Sequence, residues 1–315
     1  MKNIPVIDIS LAKYGSLEDK HKIAAKLDKA CKEVGFFSII GHGIDKQKIN
    51  DTFKAIKEFF SLSDEAKLEC KLKEGFALDD DHQPYGYSGV LEENSYAYAG
   101  EKGMPNDYVE KFSVGRRLFN EDPKLSQLLK SPYSQKITNQ AKIYFNEMEE
   151  LSNTLSELFT YALGLPKDYF KDKINNSTDC MRLQKYPAFN DEFDNNQGMG
   201  AHTDGSFLTF VADNYPGIEV MDTSGEWVRP TIEEGHILVN IGDVMMRWSN
   251  DYYLSTKHRV VLNNKDRYSA IFFKLVNDDT VLDPFKKFCE KEPAKYKAIT
   301  YKKFGLDKIT ALYGK

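Results

Sequence analysis

The sequence predicts an α+β protein with a double-stranded β-helix (jelly-roll) core that is flanked by N-terminal and C-terminal helices. Three observations lead to this prediction. Helical periodicity dominates the chain up to about residue 175, many short strand-like runs follow Cys180, and a helical pattern returns from about Pro284. Short strands at this spacing, separated by Gly, Pro, Asn and Asp, are typical of a sandwich or barrel, and we favour a double-sheet jelly roll.

Amphipathic helices and two short strands are predicted in the N-terminal part. Apolar residues recur every three or four positions in three stretches, as they do on the buried face of a helix. Gly35 and Gly164 are suited to end the first and the last of these helices. The predicted helices cover residues 17–33, 46–60 and 134–164, and the predicted strands cover residues 4–9 and 36–40.

A long irregular segment separates the second and third predicted helices. Residues 73–108 are rich in Gly, Asp, Tyr and Asn and show no sustained period. Loops of this length in a folded domain are often lids or binding segments. We therefore expect this segment to lie near a ligand site.

Eight short strand-like runs follow Cys180 and define the predicted jelly roll. They cover residues 181–186, 208–212, 218–221, 227–229, 236–241, 244–248, 259–262 and 269–276. We find no repeat and no low-complexity linker, so the chain is predicted to be one integrated domain. Its parts are a helical N-terminal part at 1–175, the jelly-roll core at 176–282 and C-terminal helices at 283–315.

Composition limits the function classes that the chain could serve. The net charge is −5, with acids and bases interspersed, so the sequence offers no basic surface for nucleic acid or an anionic membrane. No apolar run is long enough to span a bilayer, and the N-terminus lacks a signal peptide. Four widely spaced cysteines are expected to be reduced thiols, which favours a cytoplasmic setting. A monomer is the default expectation.

His202 and Asp204 form an H-x-D pattern within a strand-like stretch. Side chains two positions apart in a strand point to the same face, so an imidazole nitrogen and a carboxylate oxygen are expected to converge. Two ligands are too few to hold a metal ion, and His258 is the candidate for the third. Two histidines and one carboxylate on one face of an ion leave the opposite face open, as in non-haem Fe(II) oxygenases.

A second pair with the same spacing follows the third candidate ligand. Arg267 and Ser269 are expected to face one way on a strand, where a guanidinium and a hydroxyl can hold one carboxylate. A guanidinium near a dication is unfavourable unless an anion lies between them. A dicarboxylate such as 2-oxoglutarate, with one end on the metal and the other on Arg267, has the required shape.

Short motifs occur in a consistent order along nearly the whole chain, and together they resemble one family. They are Ile4-Pro-Val-Ile-Asp8, Gly35-Phe-Phe, Gly41-His-Gly43, Met181-Arg-Leu-Gln-Lys-Tyr-Pro187, His202-Thr-Asp204, Val239-Asn-Ile-Gly-Asp243, Arg247-Trp-Ser-Asn250, Ser255-Thr-Lys-His-Arg-Val260 and Arg267-Tyr-Ser269. In this order they resemble the isopenicillin N synthase-like family of non-haem Fe(II)/2-oxoglutarate-dependent dioxygenases.

The resemblance implies roles at matching positions. His202, Asp204 and His258 would be the iron ligands, and Arg267 with Ser269 would hold the distal carboxylate of 2-oxoglutarate. The resemblance further implies that Tyr186 helps to hold this co-substrate. Gln184 stands where many members have Asn, so it departs from the pattern by one methylene.

The resemblance also implies the reaction. Such enzymes use Fe(II), 2-oxoglutarate and O2 to oxidise an unactivated C–H bond of a small molecule, and they release succinate and CO2. Hydroxylation, desaturation and oxidative cyclisation are all compatible with the motifs. Products of this kind belong to the biosynthesis of small metabolites.

Two other functions are compatible with the three candidate ligands. A zinc-dependent hydrolase could use the same His/Asp/His set, but Arg267 and Ser269 would then have no explanation. A non-catalytic jelly-roll binding protein is the second alternative, although such proteins usually lose a metal ligand. Both alternatives stay open at the level of the sequence.

The sequence predicts the substrate less clearly than it predicts the metal site. Several basic residues leave room for a carboxylate-bearing, amino acid-derived metabolite, namely Arg116, Arg117, Arg229, Arg247 and Lys257. Candidates for the wall of a substrate pocket are the tyrosines of residues 85–98, together with Phe112, Arg116 and Phe207.

Overall fold

A computed structural model describes residues 4–72, 85–214 and 216–312, with side chains up to residue 308. Its strands are β1 Val6–Asp8, β2 Phe36–Ile40, β3 Gly86–Ser88, β4 Glu110–Gly115, β5 Cys180–Tyr186, β6 Gln197–His202, β7 Leu208–Asp213, β8 Ile218–Met221, β9 Trp227–Val228, β10 Ile237–Ile241, β11 His258–Val261, β12 Arg267–Lys274, β13 Val281–Leu282 and β14 Ile299–Thr300. Its α-helices are α1 Leu17–Glu33, α2 Lys46–Phe60, α3 Asp64–Leu68, α4 Ser95–Tyr98, α5 Arg116–Phe119, α6 Pro132–Ala162, α7 Lys171–Ile174, α8 Asp243–Trp248 and α9 Tyr301–Leu312.

Two sheets form the jelly-roll core, and they are antiparallel except for the parallel pair of β1 and β2. The larger sheet has the order β1-β2-β10-β7-β12-β5-β4-β3, and the smaller has the order β6-β11-β8-β9. One apolar cluster joins Val211 and Leu238 of the larger sheet to Ile218 and Val220 of the smaller sheet. The predicted jelly roll is therefore confirmed, and the N-terminal strands extend its larger sheet at both edges.

The long N-terminal helices cover the outer face of the larger sheet. Helix α6 packs against α1 and α2, and both α2 and α6 contact β12. The rings of Phe145 on α6 and Phe272 on β12 meet edge to face, with centroids 5.1 Å apart. This layer of helices fixes one side of the sheet and leaves the other side for the cavity between the sheets.

Local signals predicted the first helix well. Ser16 caps α1 by accepting from the Asp19 backbone N–H, and the Asp19 side chain accepts from the Ser16 backbone in return. Gly35, which follows the helix, has a φ of +73°, a conformation that favours glycine. Helix α2 matches its predicted bounds, and α6 begins at Pro132, two residues earlier than expected.

The strand predicted at residues 244–248 is wrong, because the structure has helix α8 there. The buried residues Val244, Met245 and Trp248 lie on one face of a helical turn rather than alternating as in a strand. The helix begins where the backbone N–H of Asp243 donates to the Asp204 carbonyl, at 2.7 Å. A tertiary contact therefore overrides the strand-like composition.

The C-terminal tail is helical over a shorter stretch than expected. A 3-10 turn at Lys286–Phe288 and the short strand β14 precede helix α9, which begins only at Tyr301. Pro284 and Pro293 interrupt helical hydrogen bonding in this stretch. Phe285 instead stacks on Trp248, with ring centroids 5.6 Å apart.

The long irregular segment is partly ordered by local elements. Residues 73–84 lie outside the described residues, whereas strand β3 and helix α4 form within residues 85–108. Helix α4 contacts both β6 and α9, so this segment does lie beside the cavity between the sheets. Within the described ranges, no helix is long and apolar enough to cross a lipid bilayer.

Candidate active site

Strand pairing brings two distant histidines together. His202 ends β6 and His258 begins β11, and the two residues are direct partners in the antiparallel register. The His202 and His258 ring centroids are 4.4 Å apart. The Asp204 Oδ1 atom lies 3.6 Å from His202 Nε2 and 3.7 Å from His258 Nε2. One ligand atom from each residue lies within 4.8 Å of the others, so the three could hold a metal ion.

Asp204 reaches this cluster from a turn and not from a strand. Strand β6 ends at His202, so the expected alternation along one strand does not apply to Asp204. Asn240 on β10 instead orients its carboxylate by donating from Nδ2 to Oδ2, at 2.8 Å. The sequence analysis missed this role of Asn240, although Asn240 lies within a quoted motif.

Backbone carbonyls determine which nitrogen of each imidazole carries a proton. His202 Nδ1 lies 2.7 Å from the Gly200 carbonyl, and His258 Nδ1 lies 3.2 Å from the Thr256 carbonyl. A carbonyl oxygen only accepts, so each Nδ1 must carry the proton and donate. In the neutral form of each ring the lone pair then lies on Nε2, the atom that faces Asp204, which is the arrangement that a metal ligand requires.

The surroundings of His202 and Asp204 lower the pKa values of both side chains, which favours the forms that can bind a cation. Burial, together with the neighbouring His258, lowers the pKa of His202 to about 3, so the imidazole is neutral near pH 7. Burial alone would raise the pKa of Asp204. The two imidazoles and the hydrogen bonds from Asn240 and Thr209 outweigh this effect and lower the pKa overall.

Arg267, on β12, lines the same cavity as His202, Asp204 and His258. Its guanidinium stacks on the Tyr186 ring, with 4.7 Å between the guanidinium carbon and the ring centroid. Arg267 Nη2 also donates to Asp213 Oδ2 at 2.6 Å, and both side chains are buried. Asp213 was not foreseen from the sequence, because only the pairing of β7 with β12 brings it here.

The remaining predicted residues form a short hydrogen-bonded row across β5 and β12. Ser269 pairs with Gln184 in the sheet register, and Arg267 pairs with Tyr186. Both the Tyr186 Oη and the Ser269 Oγ donate to Gln184 Oε1, at 2.7 and 3.2 Å. The Gln184 Nε2 is buried without a partner among the described residues. The row therefore offers an amide donor to a ligand.

The cavity wall differs from the one predicted. Phe112 and Phe207 are fully buried in the apolar core, and Arg116 pairs with Glu149 and Asp179 away from the cavity. Of the tyrosines at 85–98, Tyr98 lines the cavity. The cavity lining also includes Ser95, Tyr98, Arg182, Phe273, Leu275 and Tyr301.

The five basic residues considered for a substrate carboxylate do not line this cavity. Each of them makes a contact elsewhere, mostly at the surface. Arg117 pairs with Asp122, Arg229 with Glu219 and Lys257 with Glu101, while Arg247 donates to the Lys297 carbonyl. Arg182 is the cation that sequence reasoning missed. Its spacing from Gln184 and Tyr186 on β5 places the three on one face, which is the signal that could have found it.

Helix α9 closes the cavity at its mouth. Lys308 forms an ion pair with Asp243, and its ammonium lies 4.6 Å from the centroid of the Tyr98 ring. The Tyr98 Oη accepts from the Gly205 backbone N–H at 3.0 Å. Asp243 also accepts from Ser255 Oγ at 2.6 Å. These contacts tie α4 and α9 to the loop that carries Asp204.

Comparison with protein families identifies both parts of the chain. Residues 4–134 match the family described as non-haem dioxygenase in morphine synthesis N-terminal. Residues 177–275 match the 2OG-Fe(II) oxygenase superfamily, and this match spans the candidate ligands and Arg267. The chain belongs to the 2-oxoglutarate/Fe(II) oxygenases. It is an oxidoreductase whose cofactor is Fe(II) and whose co-substrates are 2-oxoglutarate and O2.

Curated relatives support this assignment along the full chain. A homoarginine-6-hydroxylase of Arabidopsis thaliana is 31% identical over 310 residues, which cover 93% of this chain and 82% of the relative. One from Oryza sativa subsp. japonica is also 31% identical, with 98% and 97% covered. The 2-oxoglutarate-dependent dioxygenase tropC of Talaromyces stipitatus is 28% identical, with 86% and 85% covered. The hydrolase and the non-catalytic binding protein are therefore not favoured.

Solved structures share the fold. A full-length Neurospora crassa protein in complex with alpha-KG superposes with a TM-score of 0.82 at 23% identity, covering 98% of this chain and 96% of that one. JOX2 in complex with 2OG, Fe and JA superposes with a TM-score of 0.77 at 24% identity, covering 98% and 85%. At this identity the likeness supports the jelly-roll fold.

Proposed function

We propose that this oxygenase oxidises a C–H bond of a small molecule that carries an acidic group. In this proposal His202, Asp204 and His258 hold the iron, and Arg267 with Ser269 holds the distal carboxylate of 2-oxoglutarate. Gln184 and Tyr186 complete the co-substrate site. The observation that carries the proposal is the convergence of three ligand atoms in the same cavity that Arg267 lines.

The chemistry of the donor set fits Fe(II). Two imidazole nitrogens and one carboxylate oxygen that lie this close together would suit a non-haem ferrous centre. Bound iron supplies the activation of O2 that converts 2-oxoglutarate to succinate and CO2 while a substrate C–H bond is oxidised. The chain contributes the imidazole nitrogens, an oriented carboxylate and a cavity lined mostly by buried side chains.

The residues near Arg267 fit a dicarboxylate with a keto group. Arg267 presents a guanidinium, and the buried Gln184 Nε2 presents an N–H donor that has no partner among the described residues. A buried donor without a partner is unfavourable, so a ligand oxygen at this position would stabilise the site. The Tyr186 ring under Arg267 restricts the guanidinium to one plane, which favours a planar carboxylate.

The part of the β5–β12 sheet face beyond Gln184 supports an acidic substrate. Arg182 lies there among aromatic and apolar side chains, with its Nη1 3.5 Å from Glu93 Oε2 and its guanidinium 5.6 Å from the Phe273 ring. Asp204 is the only carboxylate among the described residues that line the cavity. A cationic substrate group would therefore meet no acid except a candidate metal ligand, whereas an anionic group would meet Arg182.

An anaerobic titration tests the oxygenase site. Adding Fe(II) and 2-oxoglutarate without O2 should produce a visible charge-transfer band, and the Asp204→Ala variant should not produce it. The variant Asp283→Ala, at an exposed acid, is the control and should behave as the wild type. A wild-type protein that binds Zn(II) and hydrolyses esters but gives no such band would contradict the proposal.

A paired substrate panel tests the acidic group. Carboxylate-bearing metabolites should stimulate succinate formation, and the matched amides or esters should stimulate it far less. Arg182→Gln should remove this preference, whereas Arg229→Gln, at an exposed pair with Glu219, should keep it. Stimulation by neutral compounds that survives Arg182→Gln would refute the assignment of an acidic substrate.

The proposal also covers the compartment, the oligomeric state and the domain organisation of the enzyme. We infer a cytoplasmic, monomeric protein that binds neither nucleic acid nor membranes and forms one integrated domain, with parts at 1–175, 176–282 and 283–315. Support for the single domain comes from the larger sheet, in which β2 and β4 of the first part pair with β10 and β5 of the second. Light scattering of the purified chain tests the oligomeric state.

A further inference from the structure

We propose that Asp213 competes with 2-oxoglutarate for Arg267, so that the co-substrate binds together with a proton that Asp213 takes up. The inference rests on the proposed function, because it requires Arg267 to hold the distal carboxylate. On this proposal, Asp213 makes the affinity for 2-oxoglutarate depend on pH.

The ion pair occupies the guanidinium that the co-substrate needs. Arg267 Nη2 donates to Asp213 Oδ2 at 2.6 Å, and the two side chains are only 3% and 7% exposed. A contact this short is a full charge-assisted hydrogen bond. An arriving carboxylate must therefore share Arg267 with Asp213 or displace it.

Charge balance opposes a second anion at this position. The ferrous ion with Asp204, the dianionic co-substrate and Arg267 together carry no net charge. An ionised Asp213 adds one buried negative charge beside the distal carboxylate. Two ionised carboxylates in one buried site repel each other at a large cost in free energy. A proton on one of the carboxylates removes this cost.

Asp213 is the group placed to receive that proton. Its Oδ1 is buried and has no hydrogen-bond partner among the described residues. No donor from these residues therefore competes with a proton at this oxygen. Among the residues that the structure describes, the charged or titratable groups that act on Asp213 from the elements around it are Arg267 and the Tyr186 hydroxyl. Burial raises the pKa of Asp213 even though Arg267 opposes this effect. A dicarboxylate on Arg267 would weaken that opposition further.

A positioning role for Asp213 would have the opposite consequence. If Asp213 only held Arg267 in place, removing its charge would loosen Arg267 and weaken co-substrate binding. If Asp213 competes, removing its charge strengthens binding. The sign of the change therefore separates the two roles.

Calorimetry on the wild type tests the proton without any substitution. The Mn(II)-loaded protein is titrated with 2-oxoglutarate at one pH near neutrality in two buffers that differ in ionisation enthalpy. We expect uptake of close to one proton per 2-oxoglutarate, and an affinity that falls about tenfold per pH unit as the pH rises. Absence of proton uptake would overturn the proposal.

The Asp213→Asn variant removes the charge at constant shape. It should bind 2-oxoglutarate about tenfold more tightly at neutral pH or above, take up no proton and lose the pH dependence. Asp51→Asn, at an exposed acid on α2, changes the net charge equally and should match the wild type. Weaker binding by a folded Asp213→Asn protein would overturn the proposal in favour of positioning.

The Arg267→Gln variant separates this proposal from the one on which it rests. If Arg267 anchors the distal carboxylate, the variant should bind 2-oxoglutarate far more weakly than the wild type. Unchanged binding by Arg267→Gln would refute the anchor and with it both proposals. Weakened binding by Arg267→Gln, with no proton uptake in the wild type, would refute the role of Asp213 alone.

Discussion

At the scale of single residues, Asn240 links the proposed iron site to the larger sheet. It lies on β10, where it is almost fully buried, and its Nδ2 holds the carboxylate of Asp204. A ligand carboxylate that accepts such a bond keeps one orientation and leaves Oδ1 toward the imidazoles. The strength of iron binding should therefore depend on a residue that is not a ligand itself.

We expect Asn240→Ala to weaken Fe(II) binding by about 10- to 100-fold while leaving the three ligands in place. The reason is that Asp204 loses the donor that orients it. Anaerobic competition against a chelating dye measures the affinity. Asn153→Ala, at an exposed position of α6, is the matched control. Equal affinity in the Asn240 variant and the wild type would show that Asp204 is oriented by other contacts.

At the scale of elements, the site depends on the loop between β6 and β7 and on the start of α8. The Asp243 and Val244 backbone N–H groups donate to the carbonyls of Asp204 and Ser206. Gly242 allows this close approach, since a Cβ there would lie 2.0 Å from the Ser206 carbonyl oxygen. The position of Asp204 is thus set by backbone packing between two elements.

Gly242→Ala should lower the free energy of unfolding by about 3 kcal/mol, because the added methyl group cannot fit beside Ser206. Urea denaturation measures the change. Gly43→Ala is the control: its φ is +76° but no atom lies within 4 Å of the added Cβ. That variant should lose only about 1 kcal/mol from backbone strain. Equal losses in the two proteins would refute the steric account.

A partly buried ion pair between Lys308 and Asp243 ties helix α9 to the start of α8. We expect Lys308→Met to expose α9, because Asp243 loses its cationic partner and Tyr98 loses the ammonium beside its ring. Hydrogen exchange of the α9 amides should become roughly tenfold faster. Lys303→Met, at an exposed position on the same helix, should leave the exchange unchanged. Similar exchange rates in both variants would mean that apolar contacts hold the helix.

At the scale of the whole molecule, the iron-free fold should lose stability in mild acid. The pKa of His202 is about 3 when folded and near 6.5 when unfolded, so the unfolded chain binds the extra proton between these values. The free energy of unfolding then rises with pH in this window and falls as the pH drops below 6.5. The slope from this group approaches about 1.4 kcal/mol per pH unit.

Urea midpoints of the chelator-treated protein at pH 7, 6 and 5 measure this dependence. They should fall with pH in the wild type, and the His202→Gln variant should show a shallower fall because it has no imidazole to protonate there. Bound Fe(II) should raise the midpoints at pH 7 by mass action. A wild type and a His202→Gln variant with parallel pH profiles would contradict the role of His202.

Much of this protein is determined by its sequence over short distances. The period of apolar residues predicts α1, α2 and α6, and alternating short runs predict most jelly-roll strands, because these signals depend on neighbours within one or two turns. The candidate ligands and the pair of Arg267 and Ser269 were also predicted, since H-x-D and R-x-S patterns carry their chemistry locally, whereas Asn240, Asp213 and Arg182 were not. Their roles as ligands and anchors stay predictions until the variants above are measured.

Only the tertiary structure decided what these segments meet. The register of β6 with β11 places His258 opposite His202, and the register of β7 with β12 brings Asp213 near Arg267. Helix α8 replaced a predicted strand because the backbone of Asp204 and Ser206 accepts its first N–H groups. Strand pairing and burial join residues that are far apart in the chain, and no local pattern encodes that distance.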